Sequence, residues 1–245
     1  MQKNIDNWLY EDPIAHRGLH NEIFPENTEG AFLNAIAHGH PIETDVHMTI
    51  DGIIVIHHDD TLKRSCGVDI SVQNSTYNEI KEYCLFNSEY KIMTFKEFLA
   101  LVDGKVPILL EIKNQKSDGI AEKLIEELKD YKGKIALQSF NPLLIKKISK
   151  LAPQYTVGVL CTREKINFVS KFVNKFLHNL WFRFFMKFDF LSVRYSDLEI
   201  QQKRIKNYNV ICWTVNSEES LKIAEKYAKN IIFEAPLKGF GRFSK

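Results

Sequence analysis

The sequence predicts an α/β fold, a closed (β/α)8 barrel of the TIM type, and three observations carry that prediction. Eight short apolar or β-branched runs recur along the chain, segments of helical apolar spacing separate them, and 245 residues is a length at which one barrel domain closes around one core. The predicted strands are Pro13–His16, Ile42–His47, Val106–Ile112, Lys134–Gln138, Thr156–Leu160, Phe190–Val193, Val210–Thr214 and Asn230–Phe233. The predicted helices are Thr28–Ala37, Phe95–Val102, Gly119–Tyr131, Pro142–Leu151, Glu164–Lys187, Asp197–Asn207 and Glu218–Lys229. Pro142 after Asn141 suits a first helical turn, where a missing N–H leaves no bond unmade.

The stretch from about 53 to 90 breaks the rhythm. A hairpin is expected around Asp51-Gly52, a polar excursion around Ser65–Ser75 and a short helix near Tyr77–Tyr83. It reads as a small insertion after the second strand, on the barrel rim, so residues 1–245 are expected to form a single domain. No repeat or Pro/Gly/Ser linker interrupts them.

Composition excludes several function classes. The balance of 33 Lys and Arg against 31 Asp and Glu lacks the basic excess of a dedicated nucleic-acid binder, so no nucleic-acid partner is expected. Cys66, Cys84, Cys161 and Cys212 form no CxxC pair, which speaks against a zinc knuckle or redox dithiol. The first residues are polar where a secretory signal needs an apolar run, and no run of about 18 apolar residues is free of charge. A cytoplasmic protein is the expectation.

Three clusters that could carry chemistry end predicted strands, where barrel enzymes assemble their sites. The first is His16-Arg17-Gly18: an imidazole titrates near neutral pH, and a guanidinium matches a phosphate or carboxylate. The second is Glu43-Thr44-Asp45, where alternation along a strand points Glu43 and Asp45 the same way, with His47 after them. Either the pair is solvated at an exposed strand end, or a cation or basic partner compensates it. The third is Glu111-Ile112-Lys113, again with both charged residues on one face. Glu43, Asp45 and Glu111 together make an all-oxygen, net-negative pocket suited to a hard divalent cation, Mg²⁺ or Ca²⁺, with Arg17 and Lys113 facing an anionic substrate. His57-His58-Asp59 adds a second imidazole to the site, only one of two adjacent side chains being able to enter it. These are the parts needed to hydrolyse a phosphate ester.

The sequence resembles the glycerophosphodiester phosphodiesterase family. The resemblance rests on His16-Arg17-Gly18, Pro25-Glu26-Asn27-Thr28, Glu43-Thr44-Asp45-Val46 with Thr49 and Asp51-Gly52, and His58-Asp59 with Leu62 and Arg64. It continues through Glu111-Ile112-Lys113, Gln138-Ser139-Phe140 and Trp213-Thr214-Val215-Asn216. It implies a TIM barrel that hydrolyses small-molecule glycerophosphodiesters to an alcohol and glycerol 3-phosphate. It further implies His16 and His58 as the acid–base pair, Glu43, Asp45 and Glu111 as ligands of the divalent cation, and Arg17 and Lys113 as phosphate contacts. Asn27 is either substrate-facing or, like Thr28, an N-cap. Trp213 and Phe140 are either apolar walls for the substrate or core. The chain departs from the family at Phe233-Glu234-Ala235-Pro236, where Thr-Asp commonly precedes the proline.

The predicted helix 164–187 is basic and aromatic, with no acidic residue from Lys165 to Lys187. It is expected either to pack as a long barrel helix, or to make peripheral contact with an anionic membrane, or to form a dimer interface. Membrane contact would favour a rival reading, a phospholipase D-type enzyme acting on lysolipids or sphingolipids. A non-catalytic membrane-associated barrel module is a third reading, disfavoured by its clustered, costly charges.

Overall fold

The computed structural model describes residues 7–115, 119–164, 178–234 and 239–243. The strands are β1 (Ile14–Ala15), β2 (Ile42–Met48), β3 (Ile54–Ile56), β4 (Ile108–Ile112), β5 (Ile135–Ser139), β6 (Thr156–Cys161), β7 (Phe190–Arg194), β8 (Val210–Val215) and β9 (Asn230–Phe233). Their order is β1-β9-β8-β7-β6-β5-β4-β2-β3, with β1 also beside β2. Eight strands therefore follow one another cyclically, as in a (β/α)8 barrel, while β3 stands outside the cycle as the antiparallel partner of β2. Each predicted barrel strand corresponds to one of these eight.

The chain divides into two compact units, Ile14–Ile135 and Met1–Pro13 with Ala136–Lys245. In the first, β2 pairs in parallel with β1 and β4, and its seven residues are all buried. Helix Glu29–Ala37 starts at Thr28, whose Oγ1 accepts from the Ala31 N–H. Helix Phe95–Val102 starts with a capping box between Thr94 and Glu97. The two helices meet through Phe32 and Phe98, whose rings stand edge to face at 4.6 Å.

The hairpin at Asp51-Gly52 forms as predicted, with β3 returning along β2. Beyond it Val55, Leu62, Val72, Ile80, Leu85 and Ile92 close a small core of their own. That core anchors short helices at Lys63–Cys66 and Tyr77–Ile80.

In the second unit, β5 to β9 form a parallel series. Pro142 takes the first turn of helix Pro142–Leu151, and the Asn141 side chain accepts from the Leu143 and Leu144 N–H groups. The helices Leu198–Ile205 and Glu218–Tyr227 follow β7 and β8.

The helix predicted over Glu164–Lys187 needs correction. Its stretch 165–177 lies outside the described residues, and over the rest it does not run on to Lys187. Leu180 takes a left-handed conformation (φ 56°), which ends an α-helix because the Cβ crowds the following carbonyl, and Trp181–Phe184 is a 3-10 turn. Leu180 and Phe182 are buried, and Phe188 stacks on Tyr208 at 5.3 Å. Trp181, Phe184 and Phe185 face outward.

Gly18, just after β1, has φ +79°, and a Cβ there would stand 2.8 Å from the backbone of Ala31. Strain and overlap together should make Gly18→Ala cost about 2–4 kcal/mol. A urea midpoint that falls at constant m is the expected result, and an unchanged midpoint would show that the turn yields freely.

Candidate active site

The site grows from the register of two parallel strands. Along β2, Glu43 and Asp45 point to one face, and pairing with β4 sets Asp45 directly beside Glu111. One oxygen from each of Glu43, Asp45 and Glu111 lies within 4.8 Å of the other two. All three side chains are buried, at 2%, 1% and 6% exposure, which excludes the solvated alternative.

Three carboxylates out of water repel one another, and the structure answers this in two ways. Lys113 lies two residues beyond Glu111 on the same face, with Nζ 2.7 Å from Asp45 Oδ1 and 2.5 Å from Glu111 Oε1. Burial opposes its charge, yet Asp45 and Glu111 raise its pKa above that of an ordinary lysine. Burial, then the carboxylates of Asp45 and Glu111, push Glu43 well above the usual carboxylate range, more strongly than Arg17 and Lys113 pull it down. Asp45 moves the other way: against burial, Lys113, His58 and Arg17 hold it well below that range. Of the two strand neighbours, Glu43 is therefore the carboxyl more inclined to take up a proton.

The turn after β1 brings two more groups. Arg17 (φ 53°) and Gly18 take left-handed conformations, which turn the Arg17 N–H toward Glu43 Oε2 at 3.1 Å. His16 Nε2 stands 3.9 Å from the same oxygen. The Arg17 guanidinium donates to Glu26 Oε1 at 2.7 Å, and its Nε lies 3.5 Å from Asp45 Oδ2. Asn27 is buried and does not cap the helix, since Thr28 does. Its Nδ2 donates to Asp45 Oδ2 at 2.9 Å, while its Oδ1 accepts from Thr44 at 2.8 Å.

Past β3 the two adjacent histidines part company. His57 is buried, with Nδ1 donating to the Asp59 carbonyl at 2.8 Å and Nε2 2.9 Å from Ser65 Oγ. Burial pushes its pKa down, so it is a neutral structural group. His58 is a third exposed and pairs through Nδ1 with Asp59 Oδ1 at 2.6 Å. His47, expected on the face of Glu43 and Asp45, turns Nε2 to the His58 carbonyl at 3.2 Å and Nδ1 to Gln73. Its burial brings its pKa down to about 3, which leaves it a neutral prop for the backbone of His58.

Sequence reasoning assigned no role to Glu26 and Arg64, although both stand in the motifs quoted above. Arg64 grips Glu26 with two bonds, at 2.7 and 2.9 Å, and donates through Nε to Asp59 Oδ2 at 2.6 Å. Against burial, Arg64 and Arg17 bring Glu26 down to about 2. Glu26 and Arg64 are 38 residues apart. No periodicity within a sequence window could signal that meeting. Phe140 and Trp213 belong to the second unit, where their rings meet edge to face at 5.6 Å and Trp213 Nε1 donates to the Ser192 carbonyl.

The carboxylate trio fits a divalent cation. Its donors are hard oxygens, and its charge is negative and buried.

Comparison with known proteins agrees with this geometry. The profile of the Glycerophosphoryl diester phosphodiesterase family matches residues 16–234. A glycerophosphodiester phosphodiesterase of Caldanaerobacter subterraneus subsp. tengcongensis is 35% identical over 159 residues, covering 60% of this chain and 65% of that protein's length. The uncharacterized protein MG293 of Mycoplasma genitalium is 31% identical over 228 residues, covering 85% of this chain and 88% of the relative. Among solved structures, an Oleispira antarctica phosphodiesterase in complex with the product sn-glycerol-3-phosphate has the same fold. It superposes with a TM-score of 0.74 at 24% identity, covering 95% of this chain and 96% of that one. With a family profile matching 16–234 and the carboxylates, histidines and cations of its motifs drawn together in the fold, the chain belongs to the glycerophosphodiester phosphodiesterase family.

Proposed function

We propose that the chain hydrolyses glycerophosphodiesters to an alcohol and glycerol 3-phosphate, with a divalent cation held by Glu43, Asp45 and Glu111. The observation that carries this reading is the buried carboxylate trio, with His16 Nε2 3.9 Å from Glu43 and with His58, two residues past β3, among the groups that hold Asp45 low. When bound, the cation would neutralise phosphate charge and polarise the P–O bonds. Arg17, with its guanidinium beside Asp45, and Lys113, with its ammonium between Asp45 and Glu111, are the groups that meet the other phosphate oxygens. Asn27 holds Asp45 by its Oδ2, which keeps that carboxylate oriented through turnover.

Asp59 engages the Nδ1–H of His58, so Nε2 is the atom left to exchange a proton. In our reading one of the two imidazoles, His58 or His16, takes the proton of the attacking hydroxyl as the new O–P bond forms, and the other protonates the alcohol oxygen as the old P–O bond breaks. The nucleophile is water or the substrate's own glycerol hydroxyl, and in the second case a cyclic phosphate precedes glycerol 3-phosphate.

A second reading, lysolipid cleavage at a bilayer, is favoured by exposed Trp181, Phe184 and Phe185 beside Arg183 and Lys187. A panel of soluble glycerophosphodiesters and lysolipids in anionic vesicles separates the two readings by which substrate turns over.

Chelator-sensitive release of glycerol 3-phosphate is the expected result, with His16→Ala and His58→Ala each lowering kcat by about 10²–10⁴. Failure to release it from any soluble or vesicle-borne substrate would overturn the reading.

Cation binding should also strengthen as pH rises, because Glu43 is held above the usual carboxylate range and must lose its proton to ligate. Calorimetry in buffers of different ionisation enthalpy should detect up to about one proton released per cation. Zero release would mean that Glu43 is already ionised.

A further inference from the structure

We infer that Arg64 is a positioning residue for this reaction, a clamp through which the insertion after β2 holds both the His58–Asp59 dyad and the phosphate-binding Arg17. The inference rests on the reading of His58 and Arg17 just given.

Its basis is an unbroken run of short charged contacts. His58 Nδ1 meets Asp59 Oδ1 at 2.6 Å, and the other oxygen of Asp59 takes Arg64 Nε at 2.6 Å. Arg64 then uses both terminal nitrogens on Glu26, at 2.7 and 2.9 Å, and Glu26 Oε1 accepts from Arg17 at 2.7 Å. One guanidinium thus ties the carboxylate that holds His58 to the carboxylate that holds Arg17. Only arginine can do this, because it presents a fork to Glu26 and a third donor, Nε, to Asp59 in one plane. A lysine in its place would have one nitrogen for two carboxylates.

The insertion holds the clamp itself. Arg64 lies on helix Lys63–Cys66, next to Leu62 of the insertion's small core. Its guanidinium stacks over Phe86, 5.3 Å from the ring centroid, and Phe86 packs against the same core. Asp59 needs such a hold because it is a quarter exposed and sits in a turn, where a carboxylate with one partner swings freely. With two partners on two oxygens it has one orientation, and the His58 ring inherits that orientation.

The test uses the full chain and two readouts. The first is steady-state turnover of a soluble glycerophosphodiester by wild type, Arg64→Ala and Arg64→Lys. The second is the nitrogen-15 spectrum of the His58 ring, which reports its tautomer without any turnover. Both variants are expected to lose about 10- to 100-fold in kcat with KM little changed, the usual loss when a supporting partner is removed. Millimolar guanidinium should restore Arg64→Ala in part, since the 46% exposed side chain leaves an accessible gap. Mixing of tautomers in the His58 spectrum of Arg64→Ala should accompany the loss. Arg64→Lys keeps the charge and the aliphatic stem, so it serves if Arg64→Ala does not fold. Wild-type turnover with variants within twofold in kcat and an unchanged His58 tautomer would overturn the clamp and leave the proposed function standing. If wild type turns over no substrate, the activity reading falls, and the His58 spectrum alone decides: an unchanged tautomer in the variants overturns the clamp.

Discussion

The constraint on which the rest of the site depends is the burial of three carboxylates side by side on β2 and β4. At about 4 Å and an effective dielectric near 20, each like-charged pair costs roughly 4 kcal/mol, whereas an exposed ion pair contributes about 0–1. Such repulsions rival the whole stability of a domain, about 5–15 kcal/mol, so they cannot stand uncompensated. Lys113 between Asp45 and Glu111, the Arg17 N–H on Glu43 and the Arg17 guanidinium beside Asp45 are the compensation. The same buried oxygens suit a divalent cation, whose charge would answer the same repulsion.

A second tier of charges sits outside the first and faces the same problem under milder conditions. Glu26, Asp59, Arg17 and Arg64 are partly exposed, so water screens them and their mutual attraction is weaker than in the core. What they add is direction. Each carboxylate is held by both oxygens, Arg64 bonds through three nitrogens, and Arg17 is fixed by its bond to Glu26 beside Asp45, so the groups that would touch substrate cannot rotate independently. The insertion after β2, which interrupts the alternation of strand and helix, supplies Arg64 and Phe86 to this tier. Its small core of Val55, Leu62, Val72, Ile80, Leu85 and Ile92 makes it a rigid mount rather than a loose loop.

The three histidines after and within the β2–β3 hairpin illustrate how burial assigns roles to identical side chains. His47 and His57 are shut away from water, kept neutral by desolvation and engaged at both ring nitrogens. His58 keeps contact with solvent and pairs with a carboxylate at one nitrogen. Of the three, it is the ring that keeps an edge toward solvent.

Much of this was legible in the sequence because its cause lies within a few residues. Alternation along a strand sets Glu43 with Asp45 and Glu111 with Lys113. Apolar periodicity marks the helices, and Pro142 after Asn141 signals where one of them begins. The eight strand runs and the hairpin at Asp51-Gly52 are local in the same sense. Tertiary structure alone decided that Asp45 stands beside Glu111, because that depends on the register of two strands distant in sequence. It also decided that Glu26 meets Arg64, that His57 is shut into the interior against Ser65, and that the aromatic stretch breaks at Leu180 instead of running on to Lys187 as a helix. The physical reason is common to all four. Periodicity and capping are energies of neighbours along the chain, whereas register, burial and charge pairing are energies of neighbours in space, and these exist only once the sheet has formed.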